Sequence, residues 1–328
     1  MDFRHRTFQW GRAARRVIPA VFAFALGLSS GYALWGRATL ASGVAVPSTP
    51  KAAVVDATPA PAPANRIDLA ALSQQVNPPG GYTLPAKFGD IGPKLLAAGG
   101  IDFDRFVQLY EQGGQPLTDE QIAILKESSA ASIVIDRENA SFLLNVFWAV
   151  GLTNRNRILT EGPMMQGGKD QVGNFASTAG WTMGARPPAE LYASASLITL
   201  TSEQQLRLEE VAQSVYRPCC NNPTHFPDCN HGMAMLGLLE LMASQGASSD
   251  EMFEAAKFIN AFWYPQQTLE QAIYFEAAEG LDFSQVEPRT IVGVNYSSAS
   301  GYRAVRQWLA SSGLLKQSSG GGSCSVSP

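Results

Sequence analysis

Between residues 102 and 112 apolar side chains recur at Phe103, Phe106, Val107 and Tyr110. That i, i+3, i+4, i+7 spacing predicts a helix with one buried face, stopped by Gly113-Gly114. Thr118 with Gln121 three residues on forms a capping-box pattern and predicts a second helix to about Glu127. From Asp136 to about Leu152 the run Phe142, Leu143, Leu144, Val146, Phe147, Trp148 and Val150 leaves almost no polar face, which places this helix in the middle of a core. Residues 153–200 then lose all periodicity and fill with Gly and Pro. A loop this long is expected to wrap a core or a site, and its Met164, Met165, Trp181 and Met183 read as packing residues.

Helical patterns resume with Ser202 as N-cap and Gln205 at N3, a stripe of Leu206, Leu208, Val211 and Val215, and an end at Pro218. Further helices are predicted from His231 to about Ser244 (Asp228 or Asn230 as N-cap, Gly246 as stop), Asp250 to about Tyr264 (capped by Ser249), Thr268 to Ala278 (ended by Gly280) and Ser298 to Ser312. In the last, Tyr302, Val305 and Leu309 point inward and Gly313 is the stop. No run alternates with period two, and the β-branched stretch Ser132–Asp136 reads as a connector. The fold class expected is all-α: a compact helical domain with long Gly/Pro-rich loops.

The two ends have a different character. Arg4, Arg6, Arg12, Arg15 and Arg16 precede an uncharged apolar run from Val17 to Trp35, about the length needed to cross ~30 Å of hydrocarbon as a helix. Basic residues stay on the cytoplasmic side, so the body is expected outside the cytoplasm of a single-pass cell-membrane protein. A cleaved signal peptide is the alternative reading of the same run. The chain then divides into the basic head and anchor or signal (residues 1–37), a Pro/Ala-rich linker (38–76), the helical domain (77–316) and a Ser/Gly-rich tail expected to be disordered (317–328).

Charge narrows the partners. The 328 residues carry a formal net charge of −4. The head holds six Arg and one Asp, which leaves 18 basic and 27 acidic residues elsewhere, a net of −9 for the rest. An acidic body without a basic stripe argues against nucleic acid; the membrane, met through the N-terminal helix, is the one partner implied. No Gly-rich nucleotide loop, no P-loop and no G-x-S-x-G elbow is present. Four Cys in this length are too few for a disulfide scaffold.

Three of those four Cys, and two of the three His, nevertheless fall between residues 219 and 231: Cys219, Cys220, His225, Cys229 and His231. Cys229 lies where a helix begins, and the positive end of the helix dipole stabilises a thiolate there. His231 and Met235, four apart, share a face. Cys219 and Cys220 return from the end of the preceding helix. Cys219, Cys220, Cys229 and His231 are therefore the candidate ligands of a metal ion, Zn²⁺ by tetrahedral preference or Cu(I) by thiolate softness, in metal handling or sensing. Two other readings stay open: a structural disulfide from Cys229 to Cys219 or Cys220 in a non-enzymatic envelope protein, and a thiol–disulfide oxidoreductase using Cys229. His225, Met233 and Met235 read as loop and core residues.

The stretch Tyr216-Arg217-Pro218-Cys219-Cys220, then Asp228-Cys229-Asn230-His231-Gly232, Gly246 and Met252-Phe253-Glu254-Ala255-Ala256, resembles the bacterial extracytoplasmic proteins named for a PCYCGC motif. The likeness spans about 40 residues. It departs from the family in lacking the alternating C-x-C and in placing His before Gly. The resemblance implies a thiol/histidine site outside the cytoplasm and carries over no activity.

Overall fold

The computed structural model describes residues 67–315; the expected membrane run Val17–Trp35 and the tail 317–328 lie outside them. Among the described residues no helix is long and apolar enough to cross a membrane. The first element corrects the expected linker boundary. Residues 69–76 form helix α1 (Leu69–Val76), because Asp68 caps it by accepting the N–H groups of Ala70 and Ala71 and because Leu72 and Val76 are buried.

Strand β1 (Tyr82–Gly89) comes next, followed by α2 (Ile91–Ala97), α3 (Phe103–Gln112), α4 (Asp119–Lys126) and strand β2 (Ser129–Ile135). The two strands pair antiparallel, Tyr82 opposite Ile135 and Gly89 opposite Ser129. The all-α expectation is thus corrected to a mostly α-helical fold with a two-stranded sheet. Alternation does exist in β1, where Leu84, Ala86 and Phe88 face the core. Pro85 sits inside it, and the pairing slips between Thr83 and Lys87, around the one residue without a donor. The capping box of Thr118 and Gln121 opens α4 as expected.

Helix α5 (Ala140–Thr153) is the predicted core helix, with Phe142, Val146, Phe147 and Trp148 all buried. The Trp148 indole N–H donates to the Ser177 carbonyl and its ring meets Trp181 edge to face at 5.1 Å. Residues 154–201 wrap this helix in short helical turns. Asn154 is buried there, its side-chain Oδ1 accepting the N–H groups of Leu197 and Ile198.

Helix α6 (Ser202–Ser214) starts one residue earlier than expected, with Thr201 as cap and Gln204 at N3. Gln205 cannot serve at N3 because it turns inward to exchange hydrogen bonds with Asn156. Helices α7 (Asn230–Ser244), α8 (Ser249–Trp263) and α9 (Pro265–Tyr274) follow. The cap of α8 is Ser248 rather than Ser249, whose hydroxyl goes to Glu210 instead. The last described helix is α10 (Ala299–Ser311), close to the expected span, with Ser298 as its N-cap. Its Val305 and Leu309 are buried and Tyr302 is half-buried.

The most extensive helix packing is α5 against α7. It is made through glycine. A side chain on Gly151 would run into the Met233 carbonyl, and one on Gly237 into the Phe147 carbonyl and the Gly151 backbone. Near this crossing Glu240 is wholly buried. One of its oxygens accepts from the Asn154 amide at 3.0 Å and the other has no partner. Burial holds its carboxyl pKa well above the ordinary 4.5, so it is folded in as the neutral acid.

Gly237→Ala is expected to cost about 2–3 kcal/mol in urea unfolding, since overpacking against backbone has no rotamer to escape into. Gly80→Ala, with open space around it, should change stability by about 0.5 kcal/mol or less. A second expectation concerns pH. A carboxyl whose pKa is raised on folding stabilises below its unfolded pKa, and that contribution is lost as pH rises toward the folded value. Glu240→Gln should therefore gain on the wild type from pH ~5 upward, by about 1.4 kcal/mol per pH unit until the folded pKa is passed. Urea titrations at a series of pH values read this; a gap independent of pH would mean Glu240 is ionised in the fold.

Candidate metal centre

Helix α6 ends at Ser214 with Val215 as its C-cap, and the chain that follows is tied down at several points. The Tyr216 N–H donates to the Val292 carbonyl, the Thr224 N–H to the Val215 carbonyl and the His225 N–H to the Ala212 carbonyl. Phe226 packs edge to face on Phe175 at 5.5 Å. The Ser177 N–H donates to the Asp228 carbonyl and the Ala299 N–H to the Cys220 carbonyl, so the loop is held from both sides. It then enters α7 with Cys229 as N-cap, neither Asp228 nor Asn230: its sulfur accepts the Gly232 N–H at 3.4 Å.

This folding brings three sulfurs together. Cys229 Sγ lies 3.5 Å from Cys219 Sγ and 3.9 Å from Cys220 Sγ, and all three are within 4.8 Å of one another. They are free cysteines. A tetrahedral ion with bonds of about 2.3 Å to sulfur needs its sulfurs about 3.8 Å apart, so the spacing suits a metal with little movement.

Beside them lies Arg217, whose side chain is fully buried. Its Nε donates toward Cys229 Sγ at 3.4 Å and its Nη2 toward Cys220 Sγ at 3.2 Å. Nη2 is also 3.5 Å from Asp228 Oδ1, and Asp228 Oδ2 accepts from the Asn222 amide at 2.8 Å. Nη1 reaches Thr224 Oγ1 at 3.5 Å. The space for the guanidinium comes from Gly232, where a Cβ would sit 2.6 Å from Arg217 Cζ. A buried guanidinium requires negative charge close by. One long contact to a half-exposed carboxylate is a weak supply, and the sulfurs provide the rest.

The thiols titrate as a set. Hydrogen bonds from Cys219 and Cys220, opposed by burial and aided by Arg217, hold the Cys229 thiol well below its ordinary range. Cys219 is pushed up, by its hydrogen bonds to Cys220 and Cys229 and by burial. For Cys220 the hydrogen bond with Cys219 acts to lower the value, but the bond to Cys229 and burial prevail and push it up to about 11. The two neighbouring thiols and the guanidinium thus favour the thiolate form at Cys229 over the other two sulfurs.

His231 is not drawn into this group. Its Nδ1 is 2.9 Å from Asn230 Oδ1, and its ring tilts over Tyr264 at 4.5 Å and meets Trp263 edge-on at 5.8 Å. Burial lowers its pKa to about 4, which leaves it neutral. His225 stays a loop residue, and Met233 and Met235 are fully buried in the core.

No protein-family model, curated protein or solved structure matches the chain. Geometry alone carries the reading of the site. Two contributors escaped the sequence reading of chemistry: Arg217 and Gly232. The adjacency Arg217-Pro218-Cys219-Cys220 was the available signal for the first, but nothing in it says that the arginine turns inward.

Arg217→Met keeps most of the stem and removes the charge. In the reduced, metal-free chain the pH midpoint for alkylation of Cys229 by iodoacetamide is expected to rise by about 1–3 pH units. An unchanged midpoint would show that Cys219 and Cys220 hold the thiolate without the arginine.

Proposed function

We propose that this protein binds a soft or borderline metal ion, zinc or copper, through Cys219, Cys220 and Cys229, and works in metal handling or sensing. The observation that carries the reading is the convergence of three free thiols on one point, with a buried guanidinium that stabilises thiolate in advance. Thiolate is the form that ligates metal, so a guanidinium that favours thiolate at Cys229 favours loading. We propose further that the domain is tethered outside the cytoplasm. The five Arg before the run Val17–Trp35 support that placement, as does the resemblance of the cysteine loop to extracytoplasmic proteins.

A second reading has its own support: Cys219 and Cys229 are the closest sulfur pair, at 3.5 Å, and an oxidising compartment would favour joining them. Purification without reductant or chelator separates the two. The metal reading expects about one ion per chain by elemental analysis, none in Cys229→Ser, and a melting temperature that chelator lowers in the wild type but not in that variant. The disulfide reading expects no metal, two fewer titratable thiols, and a melting temperature lowered by reductant and indifferent to chelator. That second pattern would remove the proposal.

A further inference from the structure

Resting on the metal reading above, we propose that the site is built for a three-coordinate monovalent soft ion, cuprous copper, and that the Tyr264 hydroxyl closes it by donating to Cys219. Sulfur spacing does not choose the ion, because trigonal and tetrahedral sites ask for nearly the same separations. The choice comes from the groups around the sulfurs. No fourth histidine, cysteine or carboxylate among the described residues brings a ligand atom within reach of all three. Asp228 is occupied by Asn222 and Arg217, and His231 by its contacts with Asn230 and Tyr264.

What does surround the sulfurs is a ring of donors. Arg217 supplies N–H groups to Cys229 and Cys220, and Gly232 supplies its backbone N–H to Cys229. A guanidinium has no lone pair to offer a cation. Zinc in a closed site takes four ligands and would lack one here, whereas soft thiolates without a fourth donor suit Cu(I).

Tyr264 supplies the independent observation. The residue is 6% exposed, its hydroxyl lies close to the sulfurs of Cys219 and Cys229, and it makes no well-formed hydrogen bond among the described residues. A buried hydroxyl without a partner is costly to keep. Loading the ion turns Cys219 from thiol, a weak acceptor, to thiolate, a strong one, and so gives the hydroxyl a full partner. The step changes no oxidation state: the protons of Cys219 and Cys220 leave to solvent, and Cu⁺ takes up the three sulfur lone pairs. Tyr264 is thus a positioning residue that acts on the loaded site through Cys219.

The test uses the full chain, reduced and kept anaerobic. It is titrated with Cu(I) held by a competing chromophoric chelator, and separately with Zn(II). Expected are one Cu(I) per chain, X-ray absorption showing three sulfur neighbours and no imidazole nitrogen, and an affinity that His231→Ala leaves within about twofold. Tyr264→Phe should weaken Cu(I) roughly tenfold. It should not lower the melting temperature of the metal-free chain and is expected to raise it, since a buried hydroxyl without a formed hydrogen bond is removed. Zn(II) held one to one by three sulfurs and a nitrogen, and lost in His231→Ala, would overturn this inference and leave the metal reading standing. Retention of neither ion would overturn the metal reading itself. Unchanged Cu(I) affinity in Tyr264→Phe would remove that residue's role.

Discussion

The contact between α5 and α7 sets the frame for everything else. Two glycines, Gly151 and Gly237, let the helix backbones meet where any side chain would strike a carbonyl. Interiors are close-packed, so such an approach permits one register and one crossing rather than a range. Helix α7 is buried along most of its length as a result, and its N-terminus is fixed in space. Cys229, the cap of that helix, inherits a fixed position from the core. The site takes one sulfur from the cap of this buried helix and only Cys219 and Cys220 from a loop.

That loop is rigid for another reason. Its backbone is held by the last turn of α6, by residue 177 from the wrapping segment and by the start of α10. Within it Arg217 serves two purposes. As a cation it favours a thiolate, and as a branched donor it fixes where two sulfurs sit. Gly232 is the geometric condition for this, because the first turn of α7 must leave room for the guanidinium. Thiols, arginine and glycine form a unit in which each member explains another.

Much of this was legible in the sequence. The stripes of α3 and α10, the unbroken apolar run of α5 and the cap and stop signals around α7 and α8 are local features that need no knowledge of partners. The errors have particular causes. Leu84, Ala86 and Phe88 alternate, yet Pro85 and the small Ala86 hide the pattern, and the pairing strand lies some 40 residues on. At Thr201-Ser202 and Ser248-Ser249 two adjacent hydroxyls compete for one cap. Long-range bonds, from Gln205 to Asn156 and from Ser249 to Glu210, decide between them. For the site, cysteine clustering stands out in a cysteine-poor chain. The inward turn of Arg217, the placement of Tyr264 and the displacement of His231 depend on α8, α9 and α7 packing together, which no local pattern encodes.

The tie between the cysteine loop and α10 bears on how the chain is made. The Cys220 carbonyl and the Asn221 side chain receive the N–H groups of Ala299 and Ser300, about 80 residues further along. Those partners leave the ribosome long after the cysteines do. At a synthesis rate of about 5–20 residues per second, the three thiols wait several seconds without the helix that braces their loop. During that interval Cys219, Cys220 and Cys229 are open to solvent and to mispairing. Assembly of the thiol cluster is therefore a late event, set by completion of α10 rather than by the local sequence that supplies the sulfurs.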